Sequence, residues 1–106
     1  MKATINLVCI LLLAACGAPE QRVDDGLTNV VCTTGMVADL AVNIGGDRVV
    51  VTGLMGPGVD PHYYKASQGD LAHVTAADLV LFNGLFLEGK MEEIFAKMAH
   101  SKKVVA

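Results

Sequence analysis

The sequence predicts an α/β fold, a parallel sheet with helices on both faces. Its strand-like runs are continuously apolar, as in Val49-Val50-Val51 and Leu79-Val80-Leu81, the pattern of strands covered on both sides. Between them, apolar residues recur at helical spacing. The two patterns alternate as β-α-β-α-β-α-β, the order that builds parallel sheets from crossover units.

Asn29-Val30-Val31-Cys32-Thr33 is the first expected strand. Thr34 can cap the helix that follows, in which Val37, Leu40, Ala41 and Ile44 fall at i, i+3, i+4 and i+7 on one apolar face. Gly45-Gly46 stops it. The run from Arg48 to Leu54 holds a β-branched core suited to a second buried strand. A Gly/Pro-rich loop spans Met55 to Tyr64. Ser67-Gln68-Gly69-Asp70 has the form of a capping box, opening a short helix that runs to about Ala77. Asp78 to Asn83 is the third strand, broken by Gly84. Leu87, Met91, Ile94, Phe95 and Met98 then repeat at helical spacing through about Ala99, a core-packing stripe. Lys97, His100 and Lys102 crowd its carboxyl end, where the dipole favours cations. Lys103 to Ala106 is a fourth strand.

The amino terminus reads as an export signal. Lys2 is followed by an apolar run to Leu13 and by Leu13-Ala14-Ala15-Cys16, a charged start, an apolar core and small residues before a cut site. The run is shorter than the roughly 20 residues a bilayer-spanning helix needs. Leu-Ala-Ala-Cys resembles a bacterial lipobox, which implies that Cys16 is lipidated and becomes the first residue of an exported, membrane-anchored chain, on the periplasmic or outer-surface side. The segmentation is therefore a signal peptide over 1–15, a polar, turn-rich lipid-anchored tether over 16–28, and an α/β lobe over 29–106.

Composition excludes several classes. The formal net charge is −3; loss of Lys2, the single charged residue of the signal, takes it from −3 to −4. No basic stripe offers itself to phosphates, which argues against nucleic acid, whereas an acidic surface suits a cationic partner. With Cys9 in the signal and Cys16 acylated, Cys32 is left alone within an apolar strand, where a thiol acts as a small hydrophobe. No Cys-x-x-Cys motif occurs. No nucleophile–base pair or carboxylate pair supports an enzyme. The glycines from Gly53 to Gly58 do not form G-x-G-x-x-G, so a dinucleotide or phosphate loop is not indicated.

The most informative segment is Gly58-Val59-Asp60-Pro61-His62-Tyr63-Tyr64. It follows the second strand, and in parallel sheets ligands bind outside the strands' carboxyl ends. Histidine is the commonest metal-ligating side chain near neutral pH. Pro61 fixes its own φ and extends Asp60, so the loop aiming His62 has few conformations to lose. Asp60 either orients the imidazole or, as the simpler reading, only shapes the turn before Pro61. Of Tyr63 and Tyr64, one lines the cleft and the other joins the core. His73 is expected to face solvent, and His100 to help cap a helix end.

Three ordered blocks resemble one family: Thr33-Thr34-Gly35-Met36-Val37-Ala38-Asp39, Gly53 through Tyr64, and Ala77 through Glu88. Together they look like the zinc/manganese-binding lipoproteins of bacterial ABC importers, treponemal-type members above all. The resemblance covers the chain from Asn29 onward. It implies two α/β lobes joined by a long helix with metal held between them, of which this chain is the amino-terminal lobe, truncated. It implies that His62 is the first metal ligand, that further His and acidic ligands lie beyond residue 106, and that the metal, Zn or Mn, is cargo delivered to a permease. Phe86 departs from the pattern, which often has a polar residue there. An adhesin-like surface lipoprotein with structural or no metal is the alternative function. A chain with one credible ligand is not expected to be a competent metal carrier by itself.

Overall fold

The computed structural model describes residues 25–106. The signal peptide, Cys9, Cys16 and most of the tether lie outside the described residues. Four strands, β1 (Thr28–Cys32), β2 (Val49–Gly53), β3 (Leu79–Leu81) and β4 (Lys103–Val105), form one sheet in the order β2-β1-β3-β4. Every neighbouring pair is parallel. Three helices connect them: α1 (Gly35–Gly45), α2 (Gln68–Ala76) and α3 (Met91–Met98).

The order places helices on both faces. The chain steps one way from β1 to β2 and back across β1 to reach β3 and β4. Right-handed crossovers in opposite directions put α1 on one face and α2 with α3 on the other. Side-chain alternation agrees. Val31 and Val80 join Val74 of α2 and Met91 and Phe95 of α3 in one buried cluster, with Val104 packed against it. Val30, Leu79, Leu81 and Val105 point the other way, lining a groove with Val37, Leu40 and Ile44 of α1.

Local signals explain most ends. Thr34 Oγ1 accepts from the Val37 amide at 3.4 Å and starts α1. Gly46, at φ 54°, ends it and donates to the Val42 carbonyl. Ser67 and Asp70 form the expected reciprocal capping box of α2. The Phe82 and Phe95 rings stack at 5.1 Å in a tilted pair.

Two expectations need correction, and one feature goes beyond what the spacing says: the apolar stripe of α1 shares one face as expected but is not buried, Leu40 being 60% and Ile44 85% exposed. It faces an open apolar groove of about 430 Å³. α3 begins at Met91, not near Leu87. The carboxylate of Glu88 turns back to the amides of Asn83 and Gly84, and Gly89 at φ 53° breaks the helical path. His100 is exposed and makes no cap; α3 closes instead through the Ala99 amide on the Phe95 carbonyl. Among the described residues no helix is long and apolar enough to cross a membrane.

Candidate metal-ligand site

The sheet reverses its winding between β1 and β3, which is where a parallel sheet opens a crevice at its carboxyl edge. That edge is built from β1's continuation at Thr33 and Thr34, β3's continuation at Phe82 and Asn83, and the two long loops beside them. Glu88 ties the first two together. It is fully buried. Its Oε1 accepts from Thr33 Oγ1 at 2.7 Å, the Asn83 amide at 2.5 Å and Asn83 Nδ2 at 3.0 Å. Its Oε2 accepts from the Gly84 amide at 3.1 Å. Asn83 Nδ2 also reaches Thr34 Oγ1 at 2.9 Å. Burial alone pushes the Glu88 carboxyl up, and the donors of Asn83, Thr33 and Gly84 outweigh it, so the group is held below the ordinary glutamate range.

The loop carrying His62 is fastened at each end. At its start, the Leu54 and Met55 amides donate to the Cys32 and Thr33 carbonyls, both at 2.9 Å, and Met55 enters the core. At its end, Tyr64 packs against the core and donates to Asp70 Oδ2 at 2.6 Å. Burial and the acceptor on Asp70 push the Tyr64 phenol up to about 12. The same bond, followed by the Ser67 donors, holds the Asp70 carboxyl below its usual range. Tyr64 is thus the core tyrosine, while Tyr63 is 84% exposed on the rim.

Between these anchors, Asp60 does both things weighed for it. Its Oδ1 accepts from the His62 backbone amide at 2.9 Å, shaping the turn, and stands 3.0 Å from His62 Nδ1. The simpler turn-only reading is therefore corrected. The backbone and ring donors of His62 hold the Asp60 carboxyl below its ordinary range. An ionised carboxylate only accepts, so Nδ1 carries the proton in this pair. In the neutral ring, Nε2 then keeps its lone pair, the state an imidazole needs to bind a metal, with its ring angle already set. His62 is exposed, as are His73 and His100. The structure does not bring the three histidines together: among the described residues no group of three or more His, Cys, Asp and Glu could hold a metal ion.

Sequence reasoning gave no role to Glu88. The signal was present: an acidic residue shortly after a buried strand, flanked by glycines at 84 and 89. The turn between them is tight, with Leu85 at φ 55° and Phe86 at φ 62°, left-handed values uncommon for residues with side chains. Both side chains are exposed.

Comparison with known proteins agrees with the fold. Residues 30–106 match the family model of the zinc-uptake complex component A, periplasmic. The chain is 48% identical over 101 residues to the manganese-binding lipoprotein MntA of Bacillus subtilis, covering 94% of this chain and 33% of the relative. It is 54% identical over 82 residues to the zinc-binding protein TroA of Treponema pallidum, covering 77% and 27%. The solved periplasmic zinc-binding protein TroA from T. pallidum superimposes with a TM-score of 0.73 at 53% identity, over 76% of this chain and 29% of that one. A Mn-bound periplasmic metal-binding protein from Candidatus Liberibacter asiaticus gives 0.66 at 32% identity, over 74% and 30%. The chain spans about a third of the length of the curated relatives it matches.

Proposed function

The chain belongs to the zinc-uptake complex component A family, and from that membership we propose that it is the amino-terminal lobe of a solute-binding lipoprotein that captures Zn or Mn for an ABC importer. His62 is the ligand this lobe contributes. The observation that carries the reading is the Asp60–His62 pair at the sheet's carboxyl edge, with Nδ1 engaged and Nε2 left free to bind. The metal is cargo, released to a membrane permease. One imidazole holds a divalent ion weakly, and a closed site takes three or four protein ligands, so the remaining ligands belong to chain beyond residue 106. One relative is named a manganese-binding lipoprotein and another, from Streptococcus cristatus, a metal ABC transporter substrate-binding lipoprotein, which favours the importer reading over the adhesin alternative.

The experiment joins residues 17–106 to the carboxyl-terminal two-thirds of a relative and measures Zn and Mn binding by calorimetry. His62→Ala should weaken affinity by more than the roughly 10–100-fold that loss of a group behind a metal ligand costs, while His73→Ala and His100→Ala leave it unchanged. Equal losses from all three would refute the assignment. Cys16 is the lipidated first residue in the same reading, supported by Leu13-Ala14-Ala15-Cys16. In a bacterial host, Cys16→Ser should move the protein out of the membrane fraction or leave it unprocessed. An unmodified Cys16 in the mature wild type would end that part of the reading.

A further inference from the structure

Gly89 is the point where the loop behind β3 meets the loop that carries His62. A Cβ built on Gly89 would lie 2.9 Å from the His62 carbonyl oxygen and 4.0 Å from its Cα. Real Cβ atoms essentially never come that close to an oxygen, and the obstacle is backbone, which cannot swing aside as a side chain does. Gly89 also sits at φ 53°, where a side chain adds strain. The position is thus restricted twice, once by conformation and once by contact.

The neighbouring residue decides which partner yields. Glu88 is buried, and its carboxylate is bound by Thr33 behind β1 and by Asn83 and Gly84 behind β3. The backbone at residues 88 and 89 is therefore fastened to the middle of the sheet. His62 lies in an exposed loop whose fastenings are at Met55 and Tyr64, several residues before it and two after it. A group forced between the two would displace His62 before it displaced Glu88.

We propose that Gly89, held in place by Glu88, is a positioning residue for His62: the missing side chain lets the His62 backbone seat against the turn and sets how far the imidazole stands from the sheet's edge. The proposal rests on the reading of His62 as a metal ligand and deepens it. The divalent cation that His62 takes would feel Gly89 only through that backbone contact.

The test uses the full chain in detergent micelles, labelled with ¹³C and ¹⁵N at histidine, so that His62, His73 and His100 report separately by NMR. Gly89→Ala should shift the backbone and ring signals of His62 and leave those of His73 and His100 in place. Gly46→Ala is the control, because Gly46 shares the positive φ (54°) but has open space where a Cβ would go. It should cost stability without moving His62. Gly89→Asn carries the same Cβ yet tolerates left-handed geometry, and serves if Gly89→Ala fails to fold. Signals of His62 that move no more than those of His73 and His100 in a folded Gly89 variant would overturn the proposal. So would the loss of both Gly89 variants to unfolding while Gly46→Ala folds, since Gly89 would then serve the fold as a whole. Manganese(II) added alone then probes the ligand reading separately. In the wild type it should broaden His62 before His73 or His100, and Gly89→Ala should raise the concentration needed by about tenfold, the lower end for a residue acting through a metal ligand. Failure of His62 to broaden first sinks the ligand reading alone, and the shift comparison still judges the positioning.

Discussion

The two faces of the sheet carry the same kind of sequence and meet different fates. Behind one, Val80 and Phe95 are sealed, at 0% and 1% exposure, among Val31, Val74 and Met91. Across the other, Leu40 and Ile44 stand over an open apolar groove floored by Val30, Leu79 and Leu81. Periodicity in a sequence says which residues share a face. It does not say whether anything covers that face. Stability should therefore be concentrated behind the sheet, and the α1 side should tolerate change.

The largest break expected is Phe95→Ala. It removes a ring that packs on Phe82 and fills the sealed side, so a loss of about 3–5 kcal/mol is expected in urea unfolding. A loss under about 1 kcal/mol would mean the two faces are energetically alike.

Acid should act next, through the edge where the faces meet. The Glu88 carboxyl is depressed in the folded state, so its stabilisation is complete above the unfolded glutamate value of about 4.3. It is lost as pH falls through that value and on through the lower folded one. Glu88→Gln places an amide against the Gly84 N–H, donor against donor, and should cost about 1–3 kcal/mol at neutral pH. It should also flatten the acid limb of the stability curve. An unchanged acid limb in the Glu88→Gln variant would assign that limb to other carboxylates, Asp70 first.

The smallest effect belongs to Ile44→Gln. An 85% exposed side chain has little burial to lose, and a change within about 0.5 kcal/mol is expected by the same unfolding measurement. A cost near that of Phe95→Ala would show that the groove is closed in solution.

Much of this was legible in the residues, and the exceptions share a cause. The capping box of Ser67 and Asp70, the Gly46 stop and the alternation of strands and helices are local, and local chemistry decided them. His62 was legible as a histidine at a strand's carboxyl end. Its ring bond to Asp60 was harder to see, because a spacing of two residues reads equally as a turn. The start of α3 and the role of Glu88 depend on Asn83, five residues away across a tight turn, and on Thr33, 55 residues away and brought near only by the sheet. The contact of Gly89 with His62 joins two loops that have no sequence relation at all.

Cys32 has a further consequence. It ends β1, pairs with Gly53 on one side and Leu81 on the other, and is completely shielded. Burial pushes its thiol up, away from the reactive thiolate. Its side chain alternates with Val31 and so stands on the α1 face beside Val30, and an alkylating reagent reaches it when α1 lifts from the sheet or the sheet itself opens, so the labelling rate of this one sulfur counts those openings. The chain carries its own clock for the docking of α1, on the less covered side of the sheet.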